Sequence, residues 1–412
     1  MTLETTSTQP RLSDASKAAL DALLQRVTSS RELPALTLGV AGATGAPLYF
    51  AAAGERVFGD PEQGLVDDST YLELYSQTKL VTAVAVLQLV DGGLVSLDDP
   101  AVVEKHAPEL LAQAVLSYDD EGNEVLTPLA APITLRTLLT HTSGQVYGFE
   151  SPLLAKWEAA HRPPSVLKAD SGVGAYTRPF VFQPGTRWAY GIGVDWAGIV
   201  LERVTGQTLE QYFQEHVFAP LGISDLTFYI TPENAGRFQT VQARDGDSFK
   251  PGASFRDKTP GVRYAQLSGG GGLVGTVKDY LRFLQAVLGA RDAPNAVVSA
   301  AAYKELFTDS LSDEVRASLN ARPDKALKQR AGAGPALGWS VGLELDLLDG
   351  EFGRKRGSGY WGGAAKTGFW IDPASGVVAI VATQILTPGA LADLGFKKVK
   401  DEFEREVYAG LV

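Results

Sequence analysis

The stretch from Leu80 to Val90 is apolar apart from Thr82 and Gln88, and it constrains this chain more than any other segment. It is too short for a membrane span, which needs about 20 residues. Apolar side chains at every angle around a helical axis predict a helix enclosed by protein on all sides. Lys79 stands immediately before it, and Ser76 three residues earlier. An i, i+3 pair shares one helix face. Ser76 falls at the helix N-terminus, where unpaired N–H groups and the helix dipole favour developing negative charge. A serine hydroxyl becomes a nucleophile when a base takes its proton. Lys79 is such a base if burial favours its neutral form. The same spacing also arises when a first-turn lysine extends its ammonium to water, and the pair alone leaves the two readings level. A second copy, Ser165 to Lys168, follows Pro163-Pro164 with no apolar helix behind it, and reads as coincidence.

The chain has 412 residues, 45% hydrophobic and 21% charged, with a formal net charge of −11. This suits a globular protein with a solvated acidic exterior and argues against a nucleic-acid surface, which needs clustered Lys and Arg. Without cysteine there are no disulfides, thiolate nucleophiles or Cys-based metal sites. The first residues carry no apolar core of a secretory signal, so a cytoplasmic location is expected.

Periodicity places a helix over 12–30, capped by Ser13 or Asp14, and then two strands around a Gly-containing turn at 42–46. Helices follow at 133–144, capped by Thr134; at 195–206, closed by Gly206; at 208–222, opened by Thr208-x-x-Gln211; and at 276–290. Strand patterns return at 337–348, 364–373 and 376–386, before a last helix over about 389–409. The segment 310–335 reads as a surface excursion. The simplest arrangement is α+β: a lobe from 1–72 and 335–412, a helical lobe from 73–334 carrying Ser76, and the active site between them.

"SQTKL", "ITLRTLLTHTSG", "PGTRWAYGIGVDWAG", "LEQYFQEHVFAPLGISDLTF" and "WGGAAKTGFWIDP" together resemble the serine β-lactamase-like superfamily. Its members include penicillin-binding proteins, class C β-lactamases and family VIII carboxylesterases. The resemblance runs from about residue 12 to 409. It is strongest to the lovastatin-type polyketide acyltransferases (simvastatin synthase) and their fungal esterase-like relatives. It implies the β-lactamase/DD-peptidase fold, an antiparallel sheet of N- and C-terminal strands flanked by helices, with a mostly helical inserted lobe. It also implies Ser76 as the acylated residue, Lys79 as its paired base and Tyr190 as the proton relay. Many relatives read Tyr-x-Asn where this chain reads Tyr190-Gly191-Ile192, which disfavours β-lactam substrates. The third motif has two registers. In the one preferred here, Trp361-Gly362-Gly363 lines the site and the Ala364 N–H joins that of Ser76 in an oxyanion hole. In the other, Lys366-Thr367-Gly368 does so, Lys366 binds a substrate carboxylate and β-lactams return as candidates.

The other signals are weaker. None of His106, His141, His161 and His216 lies in a G-x-S-x-G context, and His141 reads as structural. No spacing suggests a metal, and no cofactor is expected. Gly269 to Gly272 reads as a turn near the cleft, since no Gly-Lys-Ser/Thr follows. Ser318-Leu319-Asn320 comes too late in chain order for a catalytic S-D-N and reads as surface. Tyr147, Phe149, Trp188, Phe255, Trp339, Trp361 and Trp370 are candidates for an aromatic cleft, with Tyr147, Trp361, Gly362 and Gly363 expected to bind substrate. The expected activity is that of a serine acyl-enzyme hydrolase or transesterase. The expected partners are an ester or thioester acyl donor, a bulky apolar alcohol acceptor and an acyl carrier protein, with no nucleic acid and no membrane span. A β-lactamase or D,D-peptidase, and a silent scaffold on the same fold, are the alternatives.

Overall fold

Seven antiparallel strands form the main sheet, in a computed structural model that describes residues 9–293, 296–322, 336–387 and 393–412. They are β1 (Ala35–Gly42), β2 (Tyr49–Gly54), β3 (Leu337–Trp339), β4 (Glu344–Asp346), β5 (Gly359–Gly363), β6 (Thr367–Asp372) and β7 (Val377–Ala382). Their spatial order is β3-β4-β5-β6-β7-β1-β2, so strands from the two ends of the chain meet at the β7–β1 pairing. The fold is the α+β arrangement that the motifs implied.

Helices cover both faces of this sheet. On one lie α1 (Asp14–Ser29) and α5 (Leu394–Gly410), packed on each other; on the other lies α4 (Val277–Gly289). Alternation along the strands follows from the two-residue repeat. In β7, Ala379 and Val381 join the cluster with α1 and α5, while Val378, Ile380 and Ala382 join the cluster with α4. A strand buried on both faces reads as a continuous apolar run, hence "VVAIVA". Each fully buried large side chain contributes roughly 1.5–3 kcal/mol.

Helix α2 (Thr78–Asp91) runs through the other core, with eleven of its residues buried, Lys79 among them. Beside it lies α3 (Gly193–Thr205). The expected caps of α1 and α3 are present: the Ser13 side chain accepts from the Ser16 N–H and Gly206 closes α3 in the left-handed region. Helix α4 is capped by Thr276, which accepts from the Asp279 N–H.

Four expectations need correction. The single strand over 337–348 is two, because the Ser340 hydroxyl accepts the Gly342 and Leu343 N–H groups and turns the chain. Strand β5 was not anticipated. Residues 310–322 are no excursion: Asp313–Asn320 is helical, and buried Asn320 pairs with both the N–H and C=O of Leu337, so Ser318-Leu319-Asn320 is not surface. Residues 323–335 lie outside the described residues. The last helix begins at Leu394 rather than 389, with 388–392 again outside the described residues. No helix among the described residues is long and apolar enough to cross a membrane.

Candidate active site

Ser76 sits in a 3-10 turn, Tyr75–Gln77, that runs directly into α2. Entry to the turn puts Tyr75 at φ +46°, a region costly for any residue with a Cβ. The Tyr75 hydroxyl donates to the buried Glu73 carboxylate, which also accepts from Ser254 Oγ at 2.6 Å and pairs with Lys258 Nζ at 2.7 Å. These bonds hold the strained residue in place.

Side chains three apart eclipse in such a turn, and Lys79 Nζ lies 3.3 Å from Ser76 Oγ. Lys79 does not reach water, being 3% exposed. Its Nζ donates to the Gly270 carbonyl at 2.7 Å and to the Tyr147 hydroxyl at 3.0 Å. The Tyr190 hydroxyl donates to Ser76 Oγ at 2.6 Å. Lys79 Nζ is also 4.7 Å from the centroid of the Tyr190 ring and 5.2 Å from that of Tyr147, so it is boxed by two π-faces.

The backbone fixes both tyrosines. The Tyr147 N–H donates to the Tyr190 carbonyl at 3.2 Å, and the Gly191 N–H donates to His141 Nδ1 at 3.3 Å. Burial, aided by the Lys79 charge, holds the His141 imidazole well below its ordinary pKa. The neutral ring accepts at Nδ1 and stands edge-on among Trp188, Tyr190 and Trp339. Burial and the Asp195 charge push the Tyr147 phenol well up, which keeps it protonated. Ile192 is buried in the core.

Asp195, in the first turn of α3, is the main residue that sequence reasoning missed. Its Oδ1 accepts from Ser268 Oγ at 2.6 Å and from the Gly270 N–H at 2.9 Å. Burial pushes its carboxyl up, against the opposing charge of Lys79 and these hydrogen bonds. A Cβ on Gly270 would meet Asp195 Oδ2 at 2.3 Å, so only glycine fits there. The signal was present: like Lys79, Asp195 is a charge inside an apolar helical run.

On the opposite wall, β5 packs against the turn carrying Ser76. A Cβ on Gly363 would meet the Leu74 carbonyl oxygen at 2.3 Å. Trp361, Gly362, Gly363 and Ala364 line a cavity of about 450 Å³ together with Ser76, Tyr147 and Tyr190. Trp361-Gly362-Gly363 thus lies on the strand beside the serine, while Lys366 follows in the turn before β6 and also lines the cavity. Phe149, Trp188 and Phe255 complete the aromatic wall. Trp339 stands behind it against Trp188 and Trp361, and Trp370 is elsewhere, against Phe403. Ser165 and Lys168 occupy an irregular turn outside the cavity lining. Among the described residues no group of three or more His, Asp or Glu could hold a metal ion.

The Beta-lactamase family model matches residues 20–401. The chain is 34% identical over 406 residues to the lovastatin esterase of Penicillium rubens, covering 94% of this chain and 98% of that protein. It is 32% identical over 385 residues to monacolin J acid methylbutanoyltransferase of Aspergillus terreus, covering 89% and 90%. The LovD6 mutant of simvastatin synthase from Aspergillus terreus superposes with a TM-score of 0.83 at 30% identity, over 96% of this chain and 95% of that one.

Proposed function

This chain belongs to the beta-lactamase family, and from that premise we propose that it is a serine acyl-enzyme hydrolase or transesterase acting on carboxylic esters or thioesters. One observation carries the reading. Ser76 Oγ is within hydrogen-bond distance of both Lys79 Nζ and the Tyr190 hydroxyl, at the wall of an aromatic cavity. Geometry of this kind is what an activated nucleophile requires.

In the reactive form Lys79 is a neutral amine. Its two N–H groups are taken by Gly270 O and Tyr147 Oη, and its lone pair receives the Ser76 proton. Ser76 Oγ attacks the carbonyl carbon. The N–H groups of Ser76 and Ala364 hold the oxyanion, and donors aimed at the developing charge supply the largest share of such catalysis. The proton passes through Tyr190 to the leaving oxygen or sulfur, and the acyl group stays on Ser76. Water or an alcohol, deprotonated by the same pair, then takes the acyl group. One similar protein is named an esterase and another an acyltransferase, and the mechanism serves both outcomes.

The test is intact mass after incubation with short acyl esters and thioesters. A single acyl adduct on the native chain, absent from Ser76→Ala, is expected. An adduct that persists on Ser76→Ala overturns the reading.

A further inference from the structure

Tyr190 is held from both sides by one residue. The Ala189 N–H, just before it, donates to the His141 carbonyl at 3.1 Å, and the Gly191 N–H, just after it, donates to His141 Nδ1 at 3.3 Å. The imidazole also stands edge-on to the Tyr190 ring, with centroids 4.9 Å apart. His141 thus serves this segment with its backbone and its side chain at once, and Nδ1 does for Gly191 what a backbone carbonyl would do. A Cβ on Gly191 would run into the Gln145 carbonyl oxygen, so the segment lies hard against the chain that follows His141.

Stability alone does not explain an imidazole here. His141 has φ +58°, a left-handed backbone that glycine or asparagine takes more readily. It is buried, and only one of its two ring nitrogens has a hydrogen-bond partner among the described residues. A phenyl ring would avoid the cost of burying that polar group. It would also keep the edge contacts with Trp188 and Trp339. What a phenyl ring lacks is the acceptor. Burial, with the Lys79 charge beside it, keeps the imidazole neutral, so Nδ1 retains its lone pair. Strained residues of this kind collect at active sites, yet His141 does not line the cavity over Ser76.

We propose that His141 is a positioning residue for the proton relay: by fixing the peptides on both sides of Tyr190, it sets the approach of the Tyr190 hydroxyl to Ser76 Oγ, now 2.6 Å. The proposal rests on the Ser-Lys-Tyr reading above. His141 has no hydrogen bond to Ser76 or Lys79, and its effect runs through that hydroxyl. A misplaced relay slows proton transfer in both acylation and deacylation and leaves the cavity walls where they are. The effect therefore falls on kcat rather than on KM.

The experiment is a double-mutant cycle on hydrolysis of benzyl butanoate, whose leaving alkoxide needs the relayed proton. Rates are counted per Ser76 labelled at end point by a fluorophosphonate, which removes unfolded protein from the comparison. His141→Phe keeps a ring and loses the acceptor. His141→Ala, which cannot overpack the site, is run beside it. Each is expected to lower kcat about tenfold or more, with KM changed less than about twofold. His141→Asn puts Oδ1 where Nδ1 was and suits the left-handed backbone, and it is expected to recover most of the kcat lost in His141→Ala. In Tyr190→Phe there is no hydroxyl to position, and adding His141→Ala should cost less than about twofold more. A loss of equal size in the two backgrounds makes His141 a general support of the fold and overturns the proposal, while the ester reading stands. So does an asparagine variant no better than alanine, or a near-native kcat in His141→Ala and His141→Phe. A near-native Tyr190→Phe also overturns it, since there is then no relay to position. No turnover by the native protein overturns the ester reading as well.

Discussion

A single peptide group joins Asp195 to Lys79. The Gly270 N–H donates to Asp195 Oδ1 at 2.9 Å, and the Gly270 carbonyl accepts from Lys79 Nζ at 2.7 Å. The carboxylate orients the dipole that anchors the amine without touching it.

Asp195→Asn keeps the shape and removes the charge. We expect kcat to fall about tenfold, because the bond that orients the Gly270 peptide, and through it Lys79, is no longer charge-assisted, with KM changed less than about twofold. A near-native kcat in Asp195→Asn would take the carboxylate out of the positioning of Lys79.

Tyr190 and Tyr147 both contact the Ser76–Lys79 pair but differ in what they touch. Tyr190→Phe and Lys79→Ala should each lower ester turnover by about 10²-fold or more, the usual scale for a general acid or base. Tyr147→Phe removes one anchor of the amine and should cost less, about tenfold. A near-native rate in Tyr190→Phe would remove that hydroxyl from the reaction.

Gly363→Ala tests the contact between β5 and the nucleophile turn. The new methyl would lie 2.3 Å from the Leu74 carbonyl oxygen, so strand and turn must separate. A displacement of about 1 Å costs on the order of 10²-fold in rate, and far-ultraviolet circular dichroism should stay native. Full activity would show that the strand need not approach so closely.

Asp393 caps α5 through the Phe396 N–H at 2.8 Å and meets Arg244 at 2.6 and 2.9 Å. Burial alone would raise its carboxyl, but the Arg244 hydrogen bonds, the Phe396 N–H and the Arg244 charge hold it below the ordinary Asp value. A depressed folded pKa means stability that is present above the unfolded value and lost as pH falls through the folded one. Asp393→Asn should therefore cost about 2 kcal/mol at neutral pH. It should also flatten the acid limb of a urea-denaturation series run from pH 7 to pH 3. A parallel pair of curves would refute the linkage.

Local chemistry made much of the fold readable. Ser13 and Gly206 are capping residues whose roles need only their neighbours, and Ser76 and Lys79 meet because one turn of helix brings i and i+3 together. What escaped depends on distant chain. Strand β5 is "GYWGG", too rich in glycine to read as a strand, and it exists because β4 and β6 pair with it. Asp195 gains its meaning only when the Gly269–Gly272 turn, some 75 residues later, folds over it. The helix at Asp313–Asn320 was hidden by its charges, although Asn320 grips the sheet edge.

Because the Tyr147 N–H is bonded to the Tyr190 carbonyl, the two phenols are mechanically one part. A change that shifts either loop to admit a larger acceptor drags the proton relay and the lysine anchor together. Remodelling for new acceptors is thereby channelled outward, to Phe255, which is half-exposed and packs on Tyr75 rather than on either phenol.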